Sequence, residues 1–178
     1  MHHLFELAVP VGPSDHFIGA AHAPVTVVEY GDFECPNCKQ AAPALKQLLA
    51  KFKDGARIVY RHFPLEAVHV HALNAAEAAE CAAAQGKFLQ MHDLLYEHQD
   101  ALKSHQLREY AERLELDMMR FNAEMHDHLY LQRIRDHIRG GEESGVRATP
   151  TFFVNGRLQD VSYGISALFE GVQKAMKR

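Results

Sequence analysis

The spacing of apolar and polar residues changes period three times along this chain. Val25-Thr26-Val27-Val28-Glu29-Tyr30 is β-branched and nearly all apolar, the pattern of a strand buried on both faces. Directly after it, Leu45, Leu48, Leu49 and Phe52 recur at helical spacing while Lys46, Gln47, Lys51 and Lys53 fill the other face. This predicts a helix over 36–53 that Asp54-Gly55 ends. Arg57 to Phe63, with Ile58, Val59 and Tyr60 at its centre, predicts a second strand. Strand, helix and strand of these lengths form a right-handed parallel unit. Ahead of it, residues 1–24 hold Pro10, Pro13, Gly19 and Pro24, and predict an extended lead-in with one short edge strand, packed across the domain.

From Leu65 to about Gly145 the period is helical throughout. Ala72, Ala75, Ala76, Ala79, Ala82 and Ala83 give a small-residue face on a helix ending at Gly86, which lets a neighbour approach closely. Phe88, Met91 and Leu95 stripe the next helix. Leu107, Tyr110, Ala111 and Leu114 stripe a third behind Ser104 as its cap. A short helix opens at Asp117, and Tyr130, Leu131, Ile134 and Ile138 line the last, which Gly140-Gly141 is expected to loosen. The period then returns to two: Thr151 to Val154, Asn155-Gly156 and Arg157-Leu158 read as a hairpin. Ile165, Leu168, Phe169, Val172 and Met176 close the chain with an amphipathic helix. The class is α/β. The order is β-α-β, an all-helical insertion over 65–145, then β-β-α, so that 25–64 and 146–178 build one domain with no linker, repeat or low-complexity segment between them.

Charge and composition narrow the partners. With 178 residues, a net charge of −4 and no basic run, nucleic acid and anionic membrane are unsuited. No apolar stretch approaches the ~20 residues that cross a bilayer, so no membrane span is expected. Met1 to Val11 contains no Lys or Arg and only a short apolar patch from Leu4, which does not read as a secretory signal. The expected location is the cytosol unless a leader was removed, and His2 and His3 read as a cloning remnant. Three cysteines are too few for a disulfide scaffold.

Two of the three carry the chemistry. Cys35-Pro36-Asn37-Cys38 sits where the first buried strand hands over to its helix, with Pro36 at a position whose missing N–H costs nothing. A helix start offers unpaired N–H groups and partial positive charge worth about 0.3 to 2 kcal/mol to an anion, enough to lower a thiol pKa by roughly a unit from ~8.5. Cys35 is then the attacking sulfur and Cys38, one turn on, resolves. Glu29, a carboxylate in mid-strand, is costly to ionise, which raises its pKa and suits it to proton transfer unless it faces a polar edge. The competing reading of the pair is half a zinc site, but zinc takes four ligands and there is no second Cys-x-x-Cys. His69 with His71, and His126 with His128, point about 200° apart on a helix and cannot share an ion, so no metal is expected and the histidines read as solvated or capping. Cys81 reads as a small apolar core residue, Phe33, Phe63 and Phe153 as core, and Lys39 as an exposed helix lysine.

These features occur in company. Glu29-Tyr30-Gly31-Asp32-Phe33-Glu34-Cys35-Pro36, Ala79-Glu80-Cys81-Ala82, Gln85-Gly86-Lys87-Phe88, Met91-His92-Asp93-Leu94-Leu95 and the run from Gly145 to Gly156 follow one another in an order that resembles the thioredoxin fold, in its DsbA-type branch, over about residues 16–177. The resemblance implies thiol-disulfide exchange with protein or peptide thiols and disulfides, and a redox partner. It implies no cofactor beyond the redox-active Cys35–Cys38 disulfide. It places a cis proline at Pro150, which on its own would be read as trans, and has Thr149 offer its backbone to a substrate strand. It sets Glu29 beneath the second cysteine, exchanging a proton with Cys38. Asn37 stands where the best-known oxidant of the branch has His, which predicts a less oxidising site. Oxidative folding, a cytosolic disulfide reductase and a redox-switched binding or sensing module all stay open, as does metal binding.

Overall fold

The computed structural model describes residues 6–177, so the first five residues, His2 and His3 among them, and Arg178 lie outside it. A five-stranded sheet has the order β1 (His16–Gly19), β3 (Ala56–His62), β2 (Val25–Gly31), β4 (Thr151–Val154) and β5 (Arg157–Gln159). β2 and β3 are parallel, joined across α1 (Pro36–Phe52), and every other pairing is antiparallel. The central β2 is buried at every position but Thr26, as its apolar run requires. Asn155 and Gly156 take φ of 46° and 81°, the two positive values of a tight hairpin turn between β4 and β5.

The two faces of the sheet are covered differently. Val25, Val27 and Ile58 pack on Leu45 and Leu48 of α1 and on Leu168 and Val172 of α7 (Ser166–Ala175). Val28, Tyr30, Val59 and Phe153 pack with Phe63 and Val146 on the other face. Between β3 and β4 come α2 (Ala72–Ala83), α3 (Phe88–Glu97), α4 (Ser104–Arg113), α5 (Met118–His126) and α6 (Leu131–Glu143). Ala75, Ala78, Ala79 and Ala82 are fully buried, and their small side chains bring α2 close to its neighbours.

The lead-in does cross the domain and does supply one edge strand. Glu6 bridges Arg157, Leu7 N–H donates to the Gly156 carbonyl at 2.8 Å, and the segment is then held by Arg61. That guanidinium donates to the carbonyls of Val9 and Pro10 at 2.7 and 3.0 Å and to both Asp15 oxygens at 2.9 Å.

Two local expectations are corrected. Gly140-Gly141 does not loosen α6, which runs through both. A Cβ on Gly141 would meet Phe63 at 2.8 Å and one on Gly140 would meet Val9 at 3.0 Å, so the glycines serve close packing. Ser104 does not cap α4. Lys103 holds the cap position and its N–H donates to Gln106 Oε1 at 2.9 Å.

Candidate active site

Cys35 is the N-cap of α1 (φ −77°, ψ 121°), Pro36 opens the helix, and no side chain caps it. An N-cap side chain lies within reach of the N–H groups two and three residues on, here those of Asn37 and Cys38. Cys35 is 5% exposed, Cys38 fully buried, and both are free thiols. Pro36 and Asn37 are exposed. The Thr149-Pro150 bond is cis, and the Cys35 thiol donates to the Thr149 carbonyl at 3.3 Å. Thr149 Oγ1 is buried and, among the described residues, makes no hydrogen bond.

The two thiols have opposite character. Cys35 falls from the usual 9.0 to about 5: the Cys38 thiol bonding to its sulfur contributes most, burial opposes, and the Thr149 side chain and the N–H groups of Cys38 and Asn37 add to the lowering. The drop exceeds the unit expected from the helix start because the second thiol and Thr149 join it. Cys38 is pushed far above the thiol range by burial first, then by its bond to Cys35 and by the Glu29 charge. Glu29 is 2% exposed and pairs in register with Tyr60 and Phe152, so it faces no polar edge. Burial, then the Cys35 charge, raises it from 4.5 to about 8.

The loop before α1 is braced by residues that local pattern did not single out. Asp32, 1% exposed, accepts from Leu65 N–H at 2.8 Å and from Glu34 N–H at 2.7 Å, and pairs with His69 Nδ1 at 2.7 Å. Glu34 accepts from His71 N–H at 2.8 Å. From the opposite side Gln99 Nε2 donates to the carbonyls of Phe33 at 2.9 Å and Cys35 at 2.8 Å. Asp32 and Glu34 stood inside the motif and drew no role. Phe33 is core, stacked on Tyr60 at 5.2 Å, and Lys39 is exposed.

The reading of the histidines as solvated or capping is corrected for several. His62 is fully buried and His92 is 5% exposed. His62 Nε2 meets Glu80 at 2.7 Å, and the same carboxylate takes His16 Nε2 and Arg133 Nε at 3.0 Å. His128 pairs with Glu77 at 2.9 Å. Among the described residues no three or more His, Cys, Asp or Glu side chains converge on a point suited to a metal ion. Cys81 is fully buried on α2, and burial, with the charges of Glu124, Glu77 and Glu80, raises its thiol to about 12. A cavity of about 530 Å³ lies between the lead-in and α6, away from both site cysteines. Its arginines, Arg61, Arg133 and Arg139, are already paired with carboxylates. Among the described residues no helix is long and apolar enough to cross a membrane.

Comparison with known proteins agrees with this geometry. BdbD from Bacillus subtilis superposes with a TM-score of 0.85 at 20% identity, covering 98% of this chain and 99% of that one. A thioredoxin-like oxidoreductase from Silicibacter pomeroyi superposes at 0.80 with 26% identity, covering 94% and 95%. The protein named Na(+)/H(+) antiporter NhaA 1 of Salinispora arenicola is 51% identical over 173 residues, which are 97% of this chain and 26% of that protein. The chain thus spans about a quarter of the length of the curated relatives it matches. The family model described as Thioredoxin matches residues 12–174. The chain belongs to the thioredoxin family, and its fold is that of the DsbA-like thiol-disulfide oxidoreductases.

Proposed function

We propose that this chain is a thiol-disulfide oxidoreductase that exchanges disulfides with protein or peptide substrates through Cys35 and Cys38, with no further cofactor. One observation carries the reading: a thiol held near pKa 5 at a helix start, against the cis Thr149-Pro150 bond and above a buried acid of pKa about 8. A group titrating near neutrality is suited to carrying a proton.

In the oxidising direction a substrate thiolate attacks Cys35 of the Cys35–Cys38 disulfide. The new bond joins the substrate sulfur to Cys35, the old one breaks, and Cys38 leaves with the electron pair and takes a proton from Glu29. A second substrate thiolate attacks the substrate sulfur and frees the Cys35 thiolate. Run in reverse, Glu29 accepts the Cys38 proton as Cys38 displaces the substrate. Thr149 offers its backbone to the substrate strand, and its hydroxyl donates to the Cys35 thiolate. Val68 and Val70, exposed on the segment that Asp32 and Glu34 pin beside the site, add an apolar rim for a peptide.

The low Cys35 pKa stabilises the reduced form and tilts the pair toward accepting electrons, tempered by Asn37, which carries no charge. The antiporter name belongs to proteins of which this chain matches a quarter, and the cytosolic location read from the sequence has no support in the comparisons. Neither antiport nor a compartment is part of the proposal.

The test is a trap. Cys38→Ser, unable to resolve, accumulates mixed disulfides with many cellular proteins that a reductant releases. A single stoichiometric adduct favours the redox-switched module, and no adduct through Cys35 overturns exchange.

A further inference from the structure

Helix α1 begins without a side-chain cap, and the orientation of its first peptide units decides how well the N–H groups of Asn37 and Cys38 face the Cys35 sulfur. Something must hold that turn. The Cys35 carbonyl accepts Lys39 N–H at 3.2 Å, as the first bond of the helix, and also the Gln99 amide at 2.8 Å. The same amide reaches the Phe33 carbonyl at 2.9 Å. Gln99 lies between α3 and α4, so one half-buried side chain from the helical insertion spans two carbonyls flanking the reactive position. A carbonyl oxygen carries partial negative charge. Without Gln99 the Phe33 carbonyl loses this donor and the Cys35 carbonyl keeps only the Lys39 N–H, which leaves more negative charge beside the thiolate and disfavours it.

We propose that Gln99 is a positioning residue of the exchange reaction: by donating to the carbonyls of Phe33 and Cys35 it sets the helix-start geometry that stabilises the Cys35 thiolate. This makes the reactivity of the dithiol depend on the docking of the helical insertion. It rests on the exchange reading at Cys35 and deepens it. Gln99 touches no reacting atom, so its effect falls on the ionisation of Cys35 and on the exchange equilibrium.

Two near-isosteric substitutions separate hydrogen bonding from packing. Gln99→Met removes the donors and keeps the bulk, while Gln99→Glu puts acceptors against acceptors. The readouts are the pH titration of thiolate absorbance in the reduced protein and the equilibrium constant with glutathione. Cys35 ionisation is expected to rise by about one unit in Gln99→Met and further in Gln99→Glu. Each unit is a tenfold shift of the equilibrium toward the protein disulfide, about 30 mV for the two-electron couple. If Gln99→Met and Gln99→Glu both fold and both titrate like the parent, Gln99 has no positioning role. A wild-type measurement stands where a variant does not fold: the Gln99 side-chain amide resonance must shift as Cys35 titrates, and an unmoved resonance overturns the proposal. A parent protein whose Cys35 neither ionises early nor exchanges with glutathione refutes the exchange reading instead, a result visible before any variant is made.

Discussion

Two glutamates are buried alike, yet one is neutral and the other ionised. Glu29 on β2 is 2% exposed and Glu80 on α2 is 3% exposed. Among the described residues Glu29 meets no cation, and burial raises it to about 8, so at neutral pH it holds its proton. Glu80 is penalised by burial too, but bonds from His16 and His62 overcome this and hold it well below the usual carboxylate range. The difference teaches that partners, more than depth, decide the charge of a buried acid. It also separates roles: the paired glutamate ties β1, β3, α2 and α6 together, and the unpaired one, in the exchange proposed above, changes its proton beside the dithiol.

The comparison is broken most severely at Glu80. Glu80→Ala strips the anion from His62 and Arg133, and removing one member of such a buried group costs about 3–5 kcal/mol, to be read as a lower urea midpoint at pH 7. Because the Glu80 pKa is depressed by folding, its stabilisation is present above pH ~4.5 and lost as pH falls, so the deficit of the variant shrinks in acid. Glu29→Gln does the reverse. A folded pKa raised above the unfolded one gives stability that is full below pH ~4.5 and lost as pH rises through about 8. Glu29→Gln therefore stabilises by ~3 kcal/mol at pH 7, an order of magnitude from 1.4 kcal/mol per unit, and by nothing at pH 4. The same variant releases substrate from the Cys35 mixed disulfide more slowly, read by stopped flow. One substitution that gains stability and loses turnover is the sharpest form of the contrast.

Smaller effects mark its edges. Thr149→Val removes the buried hydroxyl that faces the sulfur and raises Cys35 ionisation by roughly a unit, ~1.4 kcal/mol, with Glu29 untouched. Lys46→Met, which breaks the Lys46–Asp93 pair from its exposed end and leaves the Asp93–His92 bond in place, costs at most ~1 kcal/mol in thermal or urea unfolding, because water solvates the lysine already.

What the sequence shows of this molecule follows how local each signal is. The apolar run of β2, the Asn155-Gly156 turn, the dithiol at a helix start and the lone carboxylate at Glu29 are contiguous patterns, and each is legible because the physics acts within a few residues. The Pro150 geometry came through resemblance alone. The braces were illegible because they join distant positions: Gln99 meets carbonyls 64 and 66 residues away, and Asp32 meets His69 across 37. Glu80 sits in an alanine-rich helix and looks like a surface residue until His62 and His16 arrive from two strands. Gly140-Gly141 suggests looseness by propensity, but the rings of Phe63 and Tyr30 claim the space a side chain would take. Ser104 is the better cap by residue type, yet α4 begins one residue earlier, where Gln106 can reach back to the Lys103 N–H.

The most direct test of the account is the ionisation of the reduced protein, followed by thiolate absorbance from pH 3 to 10 and assigned by alkylation at pH 6 with mass spectrometry. The account predicts a single early step near pH 5 belonging to Cys35, with Cys38 and Cys81 silent across the range. A first step at pH 8 to 9, or early alkylation at Cys38 in place of Cys35, would contradict it.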